Sequence, residues 1–117
     1  METIVLPRTG LKDLRFKGEL LGAASGRVIA GKEQTRWTDI SIYRTESEQY
    51  VVAESHITCW QGESNQYTAE VCDVAENVVH CLADNDYGYI MTDVAKEALE
   101  EAAEVDPSFR DVMYEDI

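Results

Sequence analysis

The stretch YTAEVCDVAENVVHCL, Tyr67–Leu82, changes its period half-way along. Up to Cys72 it is a short strand. From Asp73 onward Val74, Val78, Cys81 and Leu82 recur at helical spacing and share one face. Asp73, with Glu76 three residues later, resembles a capping box in which Asp takes the Ser/Thr role. Strands before this point and helices after it define an α+β domain.

Working upstream, the chain is a series of alternating segments. In Leu14–Leu20, one face carries Leu14, Phe16, Gly18 and Leu20, and the other Arg15, Lys17 and Glu19. Gly22, Gly26 and Gly31 then interrupt the alternation, so residues 22–32 are expected as a loop or frayed hairpin arm. Trp37–Thr45 resumes the period of two, with Thr38, Ile40, Ile42 and Arg44 opposite Trp37, Asp39, Ser41 and Tyr43. After the polar turn 45–48, Tyr50–Trp60 is the longest strand candidate. Residues 61–65 form a second turn before Tyr67–Cys72. Short polar turns between consecutive strands predict an antiparallel β-meander of about four strands.

Downstream, Asp84, Asn85, Asp86, Tyr87 and Gly88 stop the first helix. Thr92 or Asp93 caps the next, whose apolar stripe is Val94, Ala95, Ala98, Leu99 and Ala102. Glu97, Glu100, Glu101 and Glu104 cover its opposite side. Asp106 then caps a last short helix, with Pro107 at its first position and Phe109, Val112 and Met113 on its buried face. The expected architecture is therefore one domain over residues 1–117: the meander, then two to three C-terminal helices packed on one face. At 117 residues the chain is too short for a (β/α)₈ barrel or a two-domain cofactor enzyme.

Charge is the unusual property. Asp and Glu total 23 against 10 Lys and Arg, a formal net charge of -13. Residues 1–44 hold eight basic and five acidic groups, a balance of +3; residues 45–117 hold Lys96 and Arg110 against eighteen acids, a balance of −16. A field of that sign repels phosphate backbones and anionic lipid, so direct nucleic-acid or membrane binding is not expected. Met1–Gly10 contains no basic region followed by a long apolar run, and three cysteines are too few for a disulfide scaffold. A cytoplasmic protein with reduced thiols is the expectation.

Residues Arg15-Phe16-Lys17-Gly18-Glu19-Leu20-Leu21 resemble the Arg-Phe-x-Gly-x-Leu-Leu strand of the small prokaryotic EXLDI proteins. Ile42-Tyr43-Arg44-Thr45, a turn and Tyr50-Val51-Val52 are similar to that family's next hairpin, and Trp60 matches a tryptophan shortly after it. The family's C-terminal Glu-x-Leu-Asp-Ile is met by Asp116 and Ile117, whereas Met113 and Glu115 stand in place of the Glu and the Leu. The resemblance covers most of residues 14–117. It implies the fold and no activity.

The candidate chemistry is thin. His56, Cys59, His80 and Cys81 lack the paired spacing of a zinc site, and His56 and Cys59 fall on opposite strand faces. A nucleophile built from Cys59 or Cys72 with a histidine has no flanking motif, and acidic surroundings raise thiol pKa values. Asp84, Asp86 and Gly88 resemble the opening of a calcium loop, but Gly comes fifth and Ala95 occupies the twelfth position. No phosphate-binding or dinucleotide fingerprint occurs. Neither an enzyme nor a metal or cofactor is expected.

Two surfaces remain. The acidic one comprises Glu97, Glu100, Glu101, Glu104, Asp106, Asp111, Glu115 and Asp116, which would imitate a phosphate backbone and occupy a basic protein partner. An inhibitor, an antitoxin or a defence-complex accessory subunit would carry such a surface, although solubility alone is the simpler use of it. The other is a basic and aromatic sheet face of Arg15, Lys17, Trp37, Tyr43, His56 and Trp60, suited to a small ligand or nucleic acid. The exposed aromatics also allow a homodimer.

Overall fold

The computed structural model describes residues 1–29, 31–83 and 92–113. Five strands form one antiparallel sheet in the order β1 (Glu2–Leu6), β2 (Leu14–Ser25), β5 (Arg36–Thr45), β6 (Tyr50–Thr58) and β7 (Gln66–Cys72). Between β2 and β5, β3 (Val28–Ile29) and β4 (Lys32–Glu33) pair as a separate ribbon. Three helices come after the sheet: α1 (Ala75–Leu82), α2 (Asp93–Val105) and α3 (Ser108–Val112). The molecule is thus an α+β meander.

The strand faces divide as alternation demands. Ile40 and Ile42 of β5, Tyr50 and Val52 of β6 and Cys72 of β7 join Leu21 against the helices, all at most 7% exposed. The helices contribute Ala75, Val78 and Leu82 from α1, Ala95, Ala98, Leu99 and Ala102 from α2, and Phe109 from α3. Phe109 sits edge-on to Tyr50, ring centroids 5.1 Å apart. Val51 and Ala69 are also buried but belong to the opposite face, outside this cluster.

On that second face Leu20 and Val71 remain half exposed, while the N-terminal hairpin closes toward its far edge. β1 and β7 are the two edges of the sheet, yet the Thr9 amide donates to the Tyr67 carbonyl at 2.8 Å. The Tyr67 amide returns a bond of 2.8 Å to the Thr9 hydroxyl. The β1–β2 hairpin therefore leans back across the sheet. Phe16 packs edge-on against Tyr43, centroids 5.6 Å apart, above the buried Val51.

The structure corrects three expectations. Residues 22–25 are strand rather than loop: β2 continues to Ser25 through a bulge between Leu20 and Gly22. The extra residue lets Leu21 and Gly22 both turn toward the helices. A Cβ on Gly22 would lie 2.4 Å from the Ala98 carbonyl oxygen, so glycine is what admits the backbone of α2. Glu2–Leu6, too short and too irregular to stand out, is an edge strand. Asp73 does not cap α1, whose N-cap is Val74; its carboxylate accepts instead from the Gln49 amide, 3.0 Å away in the β5–β6 turn. Thr92 does cap α2, its hydroxyl accepting from the Ala95 amide at 3.2 Å.

Candidate functional site

α2 is held by a stripe of small residues. Ala95, Ala98, Leu99 and Ala102 are at most 1% exposed, and three alanines with Gly22 opposite let helix and sheet approach closely. That seating sends Glu97, Glu100, Glu101 and Glu104 outward, and all four are exposed. Among the described residues, none of the four side chains makes an ion pair or hydrogen bond. They are three, four and seven residues apart, so they repel one another along one face. Glu101 and Glu104 also stand near the negative end of the helix dipole, with no basic residue in the last turn.

Lys96, four residues before Glu100, is an exposed cation on α2 itself, while four arginines have carboxylate or carbonyl partners. Arg27 pairs with Glu33 at 2.8 Å, and Arg36 pairs with Glu63 at 2.7 Å. The Arg110 guanidinium donates to the Ala103 carbonyl at the end of α2. Arg44 reaches Glu19 and, at 3.2 Å, Asp106.

Asp106 departs from its expected role. It is 3% exposed and forms no part of a docking face. One carboxylate oxygen takes the Arg44 contact and a hydrogen bond from the Tyr50 hydroxyl at 2.8 Å. The other accepts from the Ser108 amide at 2.9 Å; the N-cap of α3 is Pro107 rather than Asp106, and the helix starts one residue later than expected, at Ser108. Burial alone would raise its pKa, but the Ser108 and Tyr50 hydrogen bonds and the Arg44 charge together hold it below the ordinary value. The same burial, with the neighbouring carboxylate, pushes the Tyr50 hydroxyl up. Asp111 is exposed as expected. Glu115 and Asp116, like the turn Asp84–Gly88, lie outside the described residues.

This network floors a cleft of about 610 Å³ between the β5–β6 turn, the start of α1 and α3. Glu48, Asp73 and Glu76 line it, so the acidic character of the helical side extends beyond α2. Local sequence patterning sets Asp73 beside Glu76 but does not add Glu48, which lies in the distant β5–β6 turn. The pairing of β6 with β7, which sets Tyr50 beside Cys72, brings Glu48 to the other two.

The basic and aromatic set does not form one face. Trp37 and Tyr43 share a face of β5 but are six residues, roughly 20 Å, apart. Tyr43 packs on Phe16 at one end of the sheet. At the other end, Trp37, His56 and Trp60 gather around Arg36. His56 points to the opposite sheet face from Trp37, since its register partner is Thr38, whose hydroxyl lies 3.0 Å from its Nδ1. Arg15 and Lys17, exposed on β2, belong to the Tyr43 end. A single ligand face of all six is not what the chain builds.

Reactive groups are quiet. Burial first, then the Glu70 carboxylate that accepts from its thiol at 3.1 Å, pushes Cys81 well above the ordinary thiol range. Cys72 is raised by burial as well. Burial also raises Glu54, against the nearby His56. Among the described residues, no three His, Cys, Asp or Glu side chains lie close enough to hold a metal ion. No described helix is long and apolar enough to cross a membrane. The chain matches no protein-family model, no curated protein and no solved structure.

Proposed function

We propose that this chain is a non-enzymatic interaction protein whose acidic helical surface docks on a basic, nucleic-acid-binding protein. It would act there as an inhibitor, an antitoxin or an accessory subunit of a defence complex. The observation that carries the reading is the outer face of α2. Glu97, Glu100, Glu101 and Glu104 are exposed and, among the described residues, have no ion-pair or hydrogen-bond partner, placed where they repel one another. Solubility needs net charge but not this placement, since charge spread over the surface serves it equally. A row of carboxylates on a rigid helix imitates the spacing of charge along a phosphate backbone and steers a basic partner.

The test is affinity capture from the host, with the bound proteins identified by mass spectrometry at about 0.1 M and at about 0.5 M salt. A basic, nucleic-acid-binding protein should be retained at the lower concentration and released at the higher. Retention of only acidic or neutral proteins, insensitive to salt, would refute the reading.

A further inference from the structure

Cys72, at the end of β7, and Cys81, in the last turn of α1, come together in the fold. The β6–β7 register sets Tyr50 beside Cys72 and Val52 beside Glu70, so Cys72 and Glu70 both face the helices. α1 folds back over this corner. Its Val78 and Leu82 are buried in the cluster that contains Cys72, and Cys81 packs against that cluster. The Cys81 thiol donates to the Glu70 carboxylate at 3.1 Å and is also within hydrogen-bonding reach of the Cys72 sulfur. Both thiols are free, Cys72 buried and Cys81 partly exposed. The third thiol, Cys59, is exposed beyond the opposite end of β6. α1 itself is short: it has 8 residues, and its N-cap Val74 makes no side-chain capping bond. A helix of two turns depends on tertiary contacts to stay formed. Its start, with Asp73 and Glu76, is one wall of the acidic cleft.

We propose that Cys72 and Cys81 form a thiol–disulfide latch, closed by a low-molecular-weight disulfide such as oxidised glutathione, that locks α1 and its acidic wall onto β7. Cys81, the more accessible sulfur, attacks oxidised glutathione; the glutathione S–S bond breaks, a mixed disulfide forms, and the Cys81 proton goes to the departing glutathione thiolate. Cys72 then attacks the Cys81 sulfur, closes the Cys72–Cys81 bond and expels the second glutathione, which takes the Cys72 proton. Two protein thiols are oxidised and one glutathione disulfide is reduced to two thiols. Excess reduced glutathione reverses both steps and opens the latch. Burial and the Glu70 carboxylate hold the two thiols protonated, and since only thiolate attacks, closure is slow and answers sustained oxidation rather than a brief pulse. The closed loop contains Asp73, Glu76 and nearly all of α1, so the bond restrains the element that has no cap of its own. The latch needs no docking partner, and it stands or fails separately from the proposed function.

The test holds the full chain for about a day in about 5 mM oxidised glutathione at about pH 8.5, then blocks free thiols with N-ethylmaleimide in urea. Cleavage after glutamate places Cys59, Cys72 and Cys81 on separate fragments, 55–63, 71–76 and 77–97. The expected result is fragment 71–76 joined to 77–97 by a disulfide. In the oxidised protein, hydrogen exchange of the α1 amides should slow at least about tenfold, with β5 and β6 unchanged. Cys81→Ser, at a partly exposed position, should abolish both effects, and Cys59→Ser should abolish neither. Cys72→Ala should behave like Cys81→Ser; because Cys72 is buried and this variant can lose stability, Cys81→Ser decides. Three results overturn the proposal: Cys72 and Cys81 both carrying N-ethylmaleimide, either carrying glutathione without the cross-link, or a cross-link that leaves α1 exchange unchanged.

Discussion

Asp106 shows how much depends on where one carboxylate sits. In the sequence it is one more acid in a run of acids. In the fold it joins the end of α2, the start of α3 and the sheet through Ser108, Tyr50 and Arg44. Replacing it with Ala leaves Tyr50 and Arg44 without their buried acceptor. The expected loss is about 2–4 kcal/mol in urea unfolding, which a purely exposed acid would not cause. Its pH dependence comes from the lowered folded-state pKa. The contribution is present above the unfolded-state value, near 4, and fades as pH falls through the lower folded value. The stability gap between wild type and Asp106→Asn should therefore narrow on acidification below about pH 4. A gap that widens there contradicts this account of the network.

Among the elements, α2 bears opposite demands on its two faces. Its inner face tolerates no enlargement of the sheet beneath it. Gly22→Ala would bring a Cβ within 2.7 Å of the Ala102 nitrogen as well as the Ala98 oxygen, both backbone atoms. A destabilisation of about 2–3 kcal/mol is expected, read as a lower Tm; an unchanged Tm would mean that α2 is not seated as described. Its outer face is sub-optimal for the helix itself. Glu101→Lys relieves repulsion with Glu97 and Glu104 and complements the dipole, and should stabilise by about 0.5–1 kcal/mol in chemical unfolding. Equal or lower stability would show that the glutamates impose no strain on α2. The helix stripe, the cap at Thr92 and the phase of β5 and β6 are legible in the sequence because each repeats over several residues. The continuation of β2 is not, because a bulge resets alternation by one residue and the glycine that serves it reads locally as a breaker. β1 escapes for want of length, and the β1–β2 hairpin's cover over Val51 depends on a contact between residues 9 and 67 that no local pattern announces.

Across the whole molecule, the charge asymmetry along the sequence becomes a separation of surfaces. Many acidic residues of the second half line the outside of α2 and the cleft at the start of α1, while Glu54, Glu63 and Glu70 belong to the sheet and its turn. Of the first-half arginines, Arg27 pairs with Glu33, Arg36 with Glu63, and Arg44 with both Glu19 and the buried Asp106. The net charge is therefore not spread evenly but is in excess on the helical side, where Lys96 and Arg110 are the only basic residues of the second half. The acidic face itself is readable from helical periodicity; the division of the basic and aromatic residues between two sheet ends is not, because strand register alone decides it. The central claim is that α2 carries its glutamates for a partner. It is tested most directly by the capture yield of a variant with Glu97, Glu100, Glu101 and Glu104 all changed to Lys, relative to wild type at low salt. The account predicts that the basic partner is lost while the variant remains folded and at least as stable; undiminished capture would contradict it.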